Sequence, residues 1–245
     1  MITEGAIRGH WVRRWIKAPG FEDHTTRVHW MQAGRDYADV RIPLMRPDLR
    51  GATCLADLPA TTLIELCQAE GFAGHVTLQD DRCTWHREVN WHGTPDMADV
   101  GTISFDDAGR MIETGVLADY TELWSQNAKA ETAAVRFSGG THTGLLVCSG
   151  SEAVVAIGQV EKSSTKPLLA ALKTGTIPDH ADADFGGIHA LCRLRKDTAV
   201  ATLATNPFAE GQPVLSFEDD HVIWHKLDFD GSQTKIEMKV AHLPA

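Results

Sequence analysis

Helical periodicity is confined to two short stretches of this 245-residue chain. In LPATTLIELCQAEG, residues 58–71, Leu58, Thr62, Leu63, Leu66 and Cys67 recur at helical spacing and Gly71 supplies a stop. In PLLAALK, Pro167 opens a second helix over 167–173 and Gly175 ends it. The remainder reads as short strands: 9–17, 25–32, 38–43, 73–79, 83–91, 98–105, 110–118, 120–124, 132–137, 144–149 and 153–160. A later group follows at 187–195, 198–205, 213–218, 221–229 and 233–241. Turn sequences such as DDAG (106–109) and FDGS (229–232) separate many of them. Many antiparallel strands with little helix predict an all-β fold, and closure into a barrel removes the exposed edges. The helix-bearing stretch 161–185 is the expected division. Residues 1–160 then form the main β-barrel, and 161–245 a second, smaller β module or a continuation of it.

The polarity of the chain narrows its partners. With 33 acidic against 23 basic residues the net charge is −10, which opposes binding to nucleic acid or to an anionic membrane. The one dense basic group, His10, Arg13, Arg14 and Lys17, reads as an exposed strand or turn. Five cysteines, an odd number with no CxxC pair, fit buried thiols in a reducing compartment. The N-terminal stretch has no signal-peptide core and no run reaches the length of a membrane span. A cytoplasmic protein is expected.

One pattern is written twice. TTRVHWMQAGRDYADVRIP (25–43) and HREVNWHGTPDMADVGTISF (86–105) both run Val, any residue, Trp, a polar turn and Ala-Asp-Val. Alternation in a strand predicts an apolar face of Val28, Trp30, Ala38, Val40 and Ile42, with Arg27, His29, Tyr37, Asp39 and Arg41 opposite. In the second copy Val89, Trp91, Ala98 and Val100 would pack together, leaving His86, Glu88, Asn90, His92 and Asp99 on the polar side. The connection is one residue shorter there, which a bulge or altered turn absorbs. Contact with water is the plainest reading of such polar faces. The alternative is a cavity lining, because aspartate is disfavoured inside strands yet recurs here, with Arg41 two residues from Asp39 as a charge partner.

The stretch RMIETGVLADYTELW (110–124) carries the acid/base candidates Glu113, Tyr120 and Glu122. A carboxyl group beside Trp124 and apolar strands has a raised pKa, which suits proton transfer near neutral pH. A rim salt bridge with Arg41 or Arg87 is the structural alternative. A metal is not expected: His86 and His92 are six residues apart, about 20 Å along an extended strand. His221 and His225 have helical spacing on what reads as a strand. No nucleophile elbow, phosphate loop or dinucleotide fingerprint is present, and no cofactor is expected.

Glu113-Thr114-Gly115 with Tyr120, Glu122, Leu123 and Trp124, together with GLLVCSGSEAVVAIGQ at 144–159, resembles a fungal family of uncharacterised cytoplasmic proteins built from lipocalin-like (calycin) β-barrels. The resemblance covers residues 110–160. It implies one or two related barrel modules that hold a small molecule, and no established activity.

Together these readings give an all-β antiparallel lipocalin-like barrel protein that binds a small, partly apolar molecule. Its expected contacts are Trp30, Tyr37, Asp39, Arg41, Arg87, Trp91, Asp99 and Trp124. The alternative is a cofactor-independent isomerase, hydratase or lyase using Glu113, Tyr120 and Glu122.

Overall fold

The computed structural model describes residues 1–127 and 130–241. Its strands form two closed antiparallel rings of eight. The first contains β1 (Gly9–Ala18), β3 (Arg27–Ala33), β4 (Asp36–Ile42), β5 (Glu70–Gln79), β6 (Arg82–Asn90), β7 (Asp99–Phe105), β8 (Met111–Gly115) and β9 (Thr121–Gln126). β9 returns to β1 to close it, and the short β2 (Phe21–Asp23) adds to the far end of β1. The second ring runs through β10 (Thr132–Gly139), β11 (His142–Ser149), β12 (Glu152–Gln159), β13 (Ile188–Arg195), β14 (Thr198–Ala204), β15 (Pro213–Phe217), β16 (His221–Leu227) and β17 (Gln233–Val240). The chain therefore changes barrels between β9 and β10, not near 160. The 161–185 stretch is a connection inside the second barrel, because β12 on one side of it pairs with β13 on the other.

Both rings place helix after their third strand. α2 (Ala60–Leu66) lies between β4 and β5, and α3 (Lys166–Lys173) and α4 (Ala181–Phe185) lie between β12 and β13. Leu63 and Leu66 of α2 pack with Leu168 and Leu172 of α3 and with Phe185 of α4, so the helices share one apolar cluster. α1 (Glu4–Ile7), capped by the Thr3 hydroxyl, sits at the end of the first barrel where β1 begins. There the Trp11 indole donates to the Ile7 carbonyl at 2.7 Å.

The hairpin β3–β4 fixes the faces. Its two-residue turn at Gly34 and Arg35 sets Ala33 opposite Asp36, and Gly34 adopts φ +57°, which glycine accepts without strain. That register puts Trp30 opposite Asp39, Val28 opposite Arg41 and Gln32 opposite Tyr37. Trp30 thus shares a face with the charged residues, contrary to the expected grouping with Ala38, Val40 and Ile42. Those three, with Met31 and Ala33, face outward and pack against Leu145, Val147, Val154, Ala156 and Leu191 of the second barrel. A strand facing water on neither side explains why its polar residues point into the barrel.

The second copy of the pattern is not a hairpin. β6 ends at Asn90, and β7 pairs with its beginning, so Asp99 lies opposite Trp85. Trp91 lies beyond the strand, in the helical cluster against Phe185. The Trp–Asp cross-strand pairing does recur, as Trp30–Asp39 and Trp85–Asp99, but through a tryptophan six residues earlier than the sequence pattern suggests.

Polar contacts join the barrels at several points. Arg136 of β10 bridges Asp36 at 2.7 Å and Glu88 at 2.5 Å. Arg46 reaches Glu210 at 2.7 Å, and His10 approaches Glu152 at 3.2 Å. At Gly71 the contact is so close that an added Cβ would lie 2.4 Å from the His189 ring.

Candidate functional site

The end of the first barrel opposite α1 gathers most of the buried charge. Arg41, from β4, donates to both carboxylate oxygens of Asp39 at 3.0 and 3.1 Å and approaches Glu122 at 3.7 Å. Arg13, from β1, bridges Glu122 at 2.7 Å and Asp23 at 3.1 Å. Arg87, from β6, reaches Asp99 of β7 at 2.6 Å. Tyr120, in the β8–β9 turn, donates its hydroxyl to Glu113 at 2.8 Å. Three guanidinium groups are thereby set among five carboxyl groups within one barrel end.

Burial decides how these groups ionise. It raises Asp39 from its usual range to about 6, with Arg41 pulling the other way. Burial raises Glu113 well above the ordinary carboxyl range, and the neighbouring Glu122 adds to it. The Tyr120 hydrogen bond only partly opposes that rise. Burial thus favours the neutral, protonated form of Glu113. The Tyr120 hydroxyl is itself pushed up by burial and by Glu113, so it stays a proton donor in its hydrogen bond.

The interior is filled rather than hollow. Trp30 meets Trp85 and Trp124 edge to face, with ring centroids 6.0 and 5.7 Å apart. The remaining cavity, bordered by Trp30, Tyr37, Asp39, Glu113 and Trp124 among others, measures about 10 Å³. That is room for one water and excludes a ligand held wholly inside the barrel as the structure stands.

A larger space lies just outside. Because β7 pairs only with Arg82–Trp85, the second half of β6 has no strand partner on that side among the described residues. A cleft of about 290 Å³ opens there, between the 91–96 loop and the start of α3. Phe72 borders both the cleft and the interior cavity. The Arg87 guanidinium stands 3.6 Å from the Phe72 ring centroid, with Arg41 at 4.6 Å. Both walls are pinned. Lys162 donates to the carbonyls of Trp91 and Asp184 at 2.6 Å each, and His92 contacts the Thr165 hydroxyl at 2.8 Å and the Ala69 carbonyl at 2.9 Å. His92 has both ring nitrogens engaged. Arg87, by contrast, keeps Nη1 free of any hydrogen bond among the described residues.

Of the residues expected at a site, Trp30, Tyr37, Asp39, Arg41, Asp99, Glu113 and Trp124 border the interior cavity, and Arg87 stands in the cleft. Glu122 is buried behind them as the partner of Arg13, and Tyr120 reaches in from the turn to Glu113. Trp91 is not among them: its place in the helical cluster follows from β6 ending one residue earlier. Sequence reasoning missed Arg13, Asp23, Phe72 and Trp85. Arg13 was expected on an exposed element, yet its side chain is 6% exposed. Trp85 shares strand parity with Arg87, which was a usable signal; nothing in the sequence marks Phe72.

Among the described residues, no group of three or more His, Cys, Asp and Glu side chains is placed to hold a metal ion. No described helix is long and apolar enough to cross a membrane.

No family model matches the chain, and no curated protein matches it. Among solved structures, an uncharacterised protein of Saccharomyces cerevisiae, YLR301w, superimposes with a TM-score of 0.56 at 11% identity, over 96% of this chain and 98% of that one. At that identity the likeness shows a common fold across both barrels and nothing of activity.

Proposed function

We propose that this is a cytoplasmic, lipocalin-like barrel protein that binds a small, partly apolar molecule in the cleft at the charged end of the first barrel. The observation that carries the reading is Arg87. Its guanidinium stands over the Phe72 ring and is fixed through Asp99, it lines the cleft, and its Nη1 has no partner among the described residues. A preorganised guanidinium above an aromatic floor suits a ligand with a carbonyl or carboxylate oxygen joined to an apolar body. Leu169 and Pro95 supply further apolar lining, and Asn90 and Thr94 supply polar groups.

A second reading, proton-transfer catalysis by Glu113 with Tyr120 and Glu122, is favoured by the burial that raises the Glu113 carboxyl and by the phenol donor beside it. Against it stands space, since the cavity at Glu113 takes one water and the cleft is screened by the Arg87–Phe72 pair. Native mass spectrometry of protein purified from its host tests both. The binding reading expects a co-purifying small molecule whose affinity falls about tenfold or more in Arg87→Met, the loss typical of a charge-assisted hydrogen bond. Retention of that molecule by Arg87→Met at wild-type affinity would sink the reading. Loss of turnover in Glu113→Gln with binding intact would favour catalysis instead.

A further inference from the structure

Three polar groups buried inside the first barrel have no hydrogen-bond partner among the described residues: the indole N–H groups of Trp30 and Trp124 and the phenol oxygen of Tyr37. Their side chains are fully enclosed, with Trp30 at 2%, Trp124 at 1% and Tyr37 at 0% exposure. Native proteins seldom leave such groups unpaired, because removing a donor from water without a replacement partner is unfavourable. All three residues border the same cavity of about 10 Å³, close to the smallest volume that admits a water molecule.

The lining decides what can occupy it. Two indoles can only donate, so the occupant must accept hydrogen bonds, and a bare cation is unsuited. Asp39, Asp99 and Glu113 border the same space, and Arg41, the one cationic side chain in the lining, is already paired with Asp39, so the cavity offers an anion no free positive charge. What remains is a neutral group of one heavy atom that both accepts and donates. We propose that Trp30 and Trp124 hold a single ordered water inside the first barrel. Its oxygen accepts from the two indoles, and its hydrogens serve the Tyr37 phenol oxygen and the Asp39 carboxyl group. The water joins the aromatic layer of the barrel to its ion-paired layer. This inference stands whether or not the cleft binds a ligand.

The test uses the wild-type protein, labelled with nitrogen-15, with all indole resonances assigned through bonds so that no variant has to fold. Cross-relaxation between water and the indole protons is then measured. The expected result is a direct, long-lived water contact at Trp30 and Trp124, absent from buried Trp11, whose indole N–H already donates to the Ile7 carbonyl. A crystal structure should show one peak within hydrogen-bonding range of both nitrogens. Indole protons without a water contact, or a crystallographic cavity that is dry with the indoles bonded to protein acceptors, would overturn the proposal.

Discussion

The two barrels have the same ring order and helix placement, yet they are filled by opposite means. Inside the second, Phe137, Val155, Ile157, Trp224 and Met238 pack among Ala153, Ala190, Ala199 and Ala201, and among the described residues its strands bury no Asp, Glu, Lys or Arg. Inside the first, Trp11, Trp30, Trp85 and Trp124 occupy one part, and Arg13, Arg41 and Arg87 with their carboxylates occupy the other. One ring is closed around volume and the other around pairing. The difference teaches where function is to be sought. An apolar filling needs no further explanation than burial, whereas buried charge is expensive and is kept where it orders something. The ordered thing here is the barrel end at which β6 and β7 part and the cleft opens.

The contrast breaks most visibly in the cores. Trp224→Ala should cost about 3–5 kcal/mol, the usual penalty for emptying a large buried site, read as a lowered urea midpoint. In the first barrel Arg41→Met should cost a similar ~3–5 kcal/mol for a different reason, since it strands Asp39. The two separate on adding a second substitution. Asp39→Leu with Arg41→Met removes both charges and should be more stable than Arg41→Met alone. A double variant that is no better would show that the pair is held by shape and not by charge.

The junction between the barrels gives the next effect. Gly71→Ala pushes a methyl group into buried His189 and should cost about 1–3 kcal/mol, the range for overpacking, in a thermal or urea melt. The junction also sets an acid response. Burial lowers His10 and His29 to about 4 and His189 to about 3, so all three are neutral when folded. Between their ordinary pKa and these values the unfolded chain binds protons that the folded chain refuses. Stability is therefore lost as pH falls from about 6.5 toward 4, by ~1.4 kcal/mol per unit for each histidine. Asp39 works in the opposite sense: raised to about 6, it stabilises the fold as pH falls through that value. Glu113, also raised by burial, works in the same sense as Asp39. Three histidines against two carboxyl groups still leave a net loss, so the melting temperature should drop on acidification, and His29→Gln should reduce the drop. A melting temperature that rises toward pH 4 would mean that the first barrel's carboxyl groups dominate.

The same contrast explains what could be read from the chain. Strand cadence and two of the four helices were legible because turn chemistry and helical spacing are local; α2 is shorter than expected, and α1, α4 and β2 are too short to show a period. The gathering of Asp39, Arg41, Asp99, Glu113 and Glu122 was legible because charge inside a strand is itself a signal. The face carrying them was not, since it depends on a two-residue turn at Gly34 and on a second barrel that covers Ala38, Val40 and Ile42. The true internal repeat was hidden for a related reason. Ring position makes β11–β12 the counterpart of β3–β4, and the two hairpins bury opposite chemistries, so they share topology without sharing a pattern.

The smallest expected effect is the most discriminating for the first barrel. Glu113 is buried, and burial together with the neighbouring Glu122 favours its neutral form. Glutamine keeps its shape and offers the Tyr120 hydroxyl the same kind of carbonyl acceptor. Glu113→Gln should therefore stabilise the fold relative to wild type at pH 7, unlike Arg41→Met, because it removes a group that ionises more readily in the unfolded chain than inside the barrel. That advantage should shrink as pH falls toward the ordinary glutamate range, where the unfolded wild-type chain is protonated as well. A large loss at neutral pH would mean that Glu113 carries charge when folded. The first barrel would then hold one anion more than its three guanidinium groups are placed to match.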